Sequence, residues 1–405
     1  MKNRATVRLT QQRVLVFCIS LLFVVCASLV GTSVSVEAVF MMQGTQQTQT
    51  TGATQSAPAE KTVEQVQKNI QVLSGLPESQ LGPLMNYMAS SLGVQCTFCH
   101  VKKDDKWDFP SDEKPEKSKA REMIKMVQGI NKGNFKGTPA VSCFTCHRGN
   151  NEPVRVPPLP MAEPTPFAET RATTAPKETR PTANQILAKY TEALGGSAAI
   201  EKIKTRSMKG TWLASNGATL GYEVYQTAPD KIYTVLNTPR QGVIERGFDG
   251  QVGWEKSQHG LRDLQGRELS ILKRYPDLFK DIKLQGQFTR ISFSRKDKID
   301  GKDVYLLSGI GIDGKGERLY FDALTGLLVR RITTMPTVVG LIPEQIDYED
   351  YRDVDGLKMP FTIRISAVDS VYSSTRKLTE IKLNVAVDET RFHKPPAPPV
   401  APPSP

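Results

Sequence analysis

Histidine is scarce in this chain, four in 405 residues, at positions 100, 147, 259 and 393. Neither of the first two has a second imidazole near it in sequence, so a centre built on paired histidines cannot be completed locally. Cysteine is also sparse. Six in 405 residues are too few for a disulfide scaffold, and two of them fall in an N-terminal apolar run. Long apolar runs are otherwise missing, which excludes a polytopic membrane protein. At 39% hydrophobic and 23% charged residues the chain is not wholly disordered. The net charge of +11 is dispersed, without a basic motif interleaved with aromatics, so nucleic acid is not the expected partner. The length exceeds one ordinary domain of about 100–200 residues.

What is present begins with a basic flank, Lys2, Arg4, Arg8 and Arg13, followed by an apolar run from Val14 to Val30. This reads as an export signal or a single anchoring helix, with small residues for cleavage at Val36-Glu37-Ala38. A run of seventeen residues is long for the first and short for the second, so both readings stand. Phe23-Val24-Val25-Cys26 lacks the small residue that precedes a lipidated cysteine, and Cys18 and Cys26 are read as apolar residues of the segment. The rest of the chain is then extracytoplasmic (periplasmic) and membrane-associated through this segment. Composition divides the chain further: 1–38 signal or anchor, 39–61 flexible Gln/Thr/Ala linker, 62–152 a helical region, 153–181 a stiff linker with eight prolines, 182–394 a strand-rich region, and 395–405 a proline-rich tail.

In the helical region Val63, Val66, Ile70 and Leu73 recur at helical spacing. Leu81, Leu84, Met85, Met88 and Leu92 form a second helix ending at Gly93, with Pro83 expected in its first turn. A third is expected from about Glu116 to Ile130, broken by Asn131-Lys132-Gly133-Asn134. Between and after these helices stand Cys96-Thr97-Phe98-Cys99-His100 and Cys143-Phe144-Thr145-Cys146-His147. Each spells C-x-x-C-H, the c-type haem-attachment motif. Two thiols three positions apart can each form a thioether to a vinyl group on one porphyrin edge, and the adjacent His meets the iron. A redox C-x-x-C would need a βαβ context and no following His, and a zinc site would not place two His identically. Two covalently bound haem c groups are therefore expected, on Cys96, Cys99 and His100 and on Cys143, Cys146 and His147. They would fill a region too small for a large core, with Tyr87, Phe98, Trp107, Phe109 and Phe144 packing around them. The sixth ligand would be a methionine thioether, and Met85, Met88, Met123 and Met126 are all candidates by spacing. Arg148 could pair with a haem propionate.

The stretches LMNYMASSLGVQCTFCH (84–100), AREMIKMVQGIN (120–131) and VSCFTCHRG (141–149) resemble the cytochrome c subunit of photosynthetic reaction centres. The resemblance implies a small, mainly α, multihaem cytochrome c domain with axial methionines on the helices preceding each motif. Position by position these fall on Met85 and Met123. Well-known members carry four haems, whereas this chain has two motifs, and the family's loop histidine is missing from 132–140.

The strand-rich region opens with a capping box at Thr182 and Gln185 and an apolar stripe, Ile186, Leu187, Tyr190 and Leu194, ending at Gly195-Gly196. Asn216-Gly217, Asp249-Gly250, Asp300-Gly301, Asp313-Gly314 and Asp355-Gly356 then mark hairpins between strand-like segments such as 304–308, 327–333 and 378–385, an antiparallel meander curled over a helix. ANQILAKYTEALGG, KIDGKDVYLL, GERLYFDALTGLLVRR, DYEDYRDVDGLKMPFTIRI and LTEIKLNV resemble the periplasmic carrier family of outer-membrane lipoprotein sorting. That resemblance implies an incomplete β-barrel closed by helices, with lipid as the ligand. The apolar stretch 335–342 is read as a lid on its cavity or as a buried loop. The region holds no nucleophile–base pair, metal cluster or phosphate loop. The expected whole is a multidomain exported dihaem cytochrome that relays single electrons, more a carrier than an enzyme. Its redox partner would be a membrane-bound reaction centre or respiratory complex. The alternatives are a peroxidase-like dihaem enzyme, or a lipophilic-ligand carrier with accessory haems.

Overall fold

The computed structural model describes residues 60–156 and 180–396, apart from 240, 274, 276 and 369–372. The N-terminal basic–apolar segment, the spacer after it, most of the proline-rich linker and the end of the tail lie outside the described residues. Among the described residues no helix is long and apolar enough to cross a membrane.

The first stretch is largely helical. α1 (Val63–Val66) is opened by a capping box between Thr62 and Gln65. It is far shorter than the apolar spacing predicts, because Gln67 takes an extended backbone (φ −115°, ψ 152°) and Asn69 beyond it a left-handed one (φ 59°), so the chain leaves the helix. Ile70 and Leu73 still reach the local core, from a loop. α2 (Glu78–Leu92) ends as expected on left-handed Gly93. It starts behind Pro77, so Pro83 lies inside the helix rather than in its first turn. A turn of 3-10 helix at Cys96–Phe98 leads to a two-stranded hairpin, β1 (Val101–Lys103) and β2 (Lys106–Asp108). α3 (Pro115–Asn134) runs through the Asn/Gly cluster expected to stop it. Asn131 is buried in its last turn, where its amide donates to the Val141 carbonyl (2.8 Å) and accepts from Val141 N–H (2.9 Å). That exchange fastens the approach to the second motif onto α3. α4 (Cys143–His147) contains the motif itself.

The second stretch is dominated by one antiparallel sheet of thirteen strands. α5 (Ala183–Leu194) is capped by Thr182, whose hydroxyl accepts from Gln185 N–H (3.2 Å). After α6 (Ser197–Glu201), strands β3 (Thr205–Ala214), β4 (Thr219–Thr227), β5 (Lys231–Thr238), β6 (Gly242–Phe248), β7 (Gly253–Ser257) and β8 (Gly260–Asp263) form one arm. α7 (Gly266–Leu272) follows. The other arm is β9 (Phe288–Ile299), β10 (Lys302–Gly311), β11 (Gly316–Asp322), β12 (Leu328–Thr337), β13 (Gly340–Val354), β14 (Leu357–Ala367) and β15 (Ser374–Leu383). All five predicted Asp-Gly and Asn-Gly steps fall between consecutive strands. At Asp300-Gly301 and Asp355-Gly356 both residues have positive φ, the backbone a two-residue hairpin requires. The arms join where β15 pairs with β3, and β8 and β9 are the free edges.

Along each strand side chains alternate between faces. Ile232 enters the main core while neighbouring Tyr233 joins Trp254 and Phe392 on the other face. The main core gathers Ile186, Tyr190 and Leu194 of α5 with Val224 of one arm and Leu319 and Phe321 of the other, so both arms wrap the same helix. The stretch 335–342 is neither lid nor loop over this core. It is the end of the β12–β13 hairpin, and Val339 and Ile342 pack into the helical cluster of Val63, Leu84, Tyr87 and Ile124.

Candidate functional site

The two C-x-x-C-H motifs sit at the ends of helical hairpins. In the first, the Cys96 carbonyl accepts from Cys99 N–H (3.3 Å) and His100 N–H (2.9 Å), winding the motif into a single turn. Cys96 is exposed, and Cys99 and His100 are half-buried. The His100 ring meets Phe109 edge-on at 5.2 Å, and Phe109 stacks on Trp107 at 5.2 Å. Both aromatics come from the β1–β2 hairpin and its exit. An open hollow of about 600 Å³ lies between this motif and the start of α3, lined by Val94, Gln95, Thr97, Phe98, Lys114 and Glu116. Lys114 donates its ammonium to the Thr97 carbonyl, tying the motif's interior to α3.

In the second motif, α4 starts from a Ser142/Thr145 capping box and ends on Arg148 in a left-handed conformation (φ 50°). Cys143 is half-buried, Cys146 is exposed and His147 is half-buried. The His147 ring Nδ1–H donates to the Asn150 carbonyl at 3.0 Å. A carbonyl can only accept, so this bond sets the tautomer and leaves Nε2 with its lone pair. Arg148 is exposed and forms no ion pair among the described residues.

α2 runs beside both motifs. Its C-terminal turn accepts Gly149 N–H at Ser91 O (2.8 Å), and a Cβ on Gly93 would lie 2.1 Å from Gly149 O, an approach only glycine permits. Met85 and Met88 are half-buried against the helical cluster that also takes in Cys143. Met123 is half-buried on α3, and Met126 is exposed. His259 and His393 are exposed on the sheet region, far along the chain, and His393 Nδ1 lies 3.1 Å from Asp249 Oδ2.

Electrostatics favour the neutral form of the first imidazole. Burial pulls the His100 pKa below its ordinary value and nearby Lys117 adds to this, so the ring is neutral near pH 7. Its Nδ1 is buried without a hydrogen-bond partner. Burial likewise pushes the Cys99 and Cys143 thiols up. Among the described residues no group of three or more His, Cys, Asp and Glu is placed to hold a free metal ion.

This arrangement agrees with the comparison to known proteins. Residues 30–188 match the photosynthetic reaction centre cytochrome C subunit family. Cytochrome c-554 of Chloroflexus aurantiacus is 37% identical over 91 residues, 21% of this chain and 20% of the relative. The photosynthetic reaction center cytochrome c subunit of Roseobacter denitrificans is 30% identical over 104 residues, 24% of this chain and 28% of the relative. The chain thus spans under a third of the length of these curated relatives. A DUF1329 family protein from Desulfovibrio piger aligns over 52% of this chain and 96% of its own, at 10% identity and TM-score 0.38. A LolA superfamily protein from Nitrosomonas europaea aligns over 52% and 97%, at 16% identity and TM-score 0.36.

The cytochrome c family implies covalently attached haem c. The residues present fit that group. Two thiols and one neutral or tautomer-fixed imidazole stand together in each motif, and the large apolar side chains Trp107, Phe109 and Phe144 are 41%, 49% and 53% exposed around them. Sequence reasoning missed Asn150, which orients His147, and Asn131, which fastens the second motif to α3. Asparagine after a motif carries no signal until its partner is known.

Proposed function

We propose that this chain is an exported, membrane-tethered dihaem c-type cytochrome that relays single electrons to or from a membrane-bound reaction centre or respiratory complex. The observation that carries the reading is the duplicated motif in which a helix bearing half-buried methionine leads into one exposed and one half-buried thiol and an oriented or neutral imidazole. A covalently held haem supplies reversible one-electron chemistry at iron. The chain supplies the rest. Cys96 and Cys99, and Cys143 and Cys146, anchor one macrocycle each. His100 and His147 would each hold the iron through Nε2, the latter ring being oriented by the Asn150 carbonyl. Met85 and Met123 would hold it through thioethers, which favour the reduced ion and raise the potential. An iron held by both an imidazole and a thioether would leave no place for a substrate, which separates a carrier from a peroxidase. Arg148, exposed and without an ion pair among the described residues, would pair with a propionate.

The test is electronic absorption and magnetic circular dichroism of the purified protein. Two haems per chain and a methionine-to-iron charge-transfer band are expected, with about half of that band lost in Met85→Ala and half in Met123→Ala. A wild type without the band, or one that binds cyanide rapidly and turns over peroxide, would sink the ligand assignment and the carrier reading with it.

A further inference from the structure

The interior of the sheet region holds charges that the electron-transfer reading does not use. A cavity of about 90 Å³ lies between α5 and the inner face where β3, β14 and β15 meet. That is room for several water-sized groups, since one water needs about 10–15 Å³ by this measure, and far below the ~300–1,000 Å³ of sites for drug-sized ligands. One part of its wall is aliphatic, with Met208, Val224, Ile346 and Ile365, and charged groups line the rest: Arg206 and Arg376 face it together with Lys280, Lys358, Asp277 and Asp281.

Arg376 is 8% exposed, and its Nε has no hydrogen-bond partner. Its guanidinium lies 4.8 Å from the Trp212 ring, 4.9 Å from Tyr275 and 5.4 Å from Tyr222, a three-sided aromatic cage that orients the charge without neutralising it. Arg206 donates from Nε and Nη2 to a neutral oxygen, Gln226 Oε1 (2.9 and 2.7 Å). Among the described residues no carboxylate forms an ion pair with either arginine. The acids in the wall are otherwise engaged. Asp281 pairs with Arg331 at 3.0 Å, and Asp277 accepts from Phe279 N–H at 2.8 Å. The Glu344 charge favours the cationic form of Arg376 without pairing with it in an ion pair among the described residues. The Tyr348 hydroxyl, on a side chain 4% exposed, lines the same cavity beside the Asp281 carboxylate. Two buried guanidiniums that no carboxylate contacts directly carry a desolvation cost that a bound anion would relieve.

We propose that this cavity is a binding site for a small monocarboxylate, its oxygens taken by the Arg376 and Arg206 guanidiniums and the Tyr348 hydroxyl, and its short apolar tail against the aliphatic wall. The planar guanidinium fork matches a carboxylate, and the aliphatic wall selects a singly charged anion with a short tail over a hydrated dianion. The volume excludes a full acyl chain in this conformation.

The experiment is isothermal titration of the full-length holoprotein with acetate, butyrate, inorganic phosphate and oleate at fixed ionic strength. Saturable one-to-one binding of butyrate is expected, tighter than phosphate, and weakened about tenfold or more by Arg376→Gln. Tyr348→Phe removes only the hydroxyl, keeps the packing, and should weaken binding about two- to fivefold even where Arg376→Gln fails to fold. Absence of saturable heat for butyrate, unchanged affinity in Tyr348→Phe and Arg376→Gln, or saturation by oleate alone would each overturn the proposal. Haem content, read from the same samples, does not enter the result, so the site stands or falls separately from the electron-transfer reading.

Discussion

The helical stretch and the sheet solve the problem of burial in opposite ways. The sheet region closes on itself: α5 and both arms bury one continuous core, and even its strongest ion pair, Arg331 with Glu317, is sealed inside. The helical stretch does not. Its own buried residues form a small cluster that needs Val339, Ile342 and Val368 from the sheet region to complete it, while Trp107, Phe109, Phe135 and Phe144 stay exposed. A region of about 90 residues cannot bury enough apolar surface by itself. The comparison teaches that its stability is borrowed, from the β12–β13 hairpin on one side and, under the proposed function, from covalently attached haem on the other.

The largest effect should come from the self-sufficient side. Arg331 donates from Nε and Nη2 to both Glu317 oxygens at 3.0 Å, with both residues about 95% buried. Glu317→Ala leaves that guanidinium with the half-exposed Asp281 and the Lys280 carbonyl and should cost about 3–5 kcal/mol in denaturant unfolding of the sheet region. A loss below about 1 kcal/mol would show that the sheet tolerates an unpaired interior charge, and the contrast would weaken.

A smaller effect should strike the borrowed contact. Gly340 has φ 146°, and a Cβ there would lie 2.6 Å from Ser142 Cβ and 2.9 Å from the Tyr87 hydroxyl. Gly340→Ala should cost about 1–3 kcal/mol through backbone strain and overpacking. It should raise hydrogen exchange in α2 and α4 while leaving β3 to β7 protected. Equal loosening of both regions would deny that the hairpin tip serves the helices in particular.

The smallest effect concerns acid. Asp112, on the loop before α3, is held down to about 2 by the Asn69 side chain first, then by Lys117 and Arg121, whose nitrogens lie 3.0 and 2.9 Å from Oδ1. A carboxyl whose folded pKa is depressed contributes stability above its unfolded pKa of about 3.9, and loses it as pH falls through the folded value. Between about pH 4 and 2 the helical stretch should therefore lose a small increment of stability that Asp112→Asn abolishes. Because the group is exposed, the increment should shrink further in high salt, and a salt-independent loss would place the cause elsewhere.

How far the sequence could be read depended on distance along the chain. Both C-x-x-C-H motifs, the Thr182/Gln185 cap, the helix stop at Gly93 and five hairpin turns are local patterns, each legible within a few residues. Failures were also local where a backbone choice intervened. Gln67 took an extended backbone and ended α1 early, and α3 ran past its expected break, where the Asn131 side chain bonds Val141.

What the sequence determined by itself is the chemistry that needs only spacing: thiols and imidazole for attachment, a helix with methionine before each motif, and a meander of strands. Tertiary structure alone decided that β3 pairs with β15 across some 160 residues, that a sheet hairpin closes the helical core, and that Arg206 and Arg376 face one cavity. The physical reason is that turns, caps and thioether spacing are set by neighbours along the chain. Pairing between distant strands and the fate of buried charges depend on which surfaces meet, and no local pattern records that.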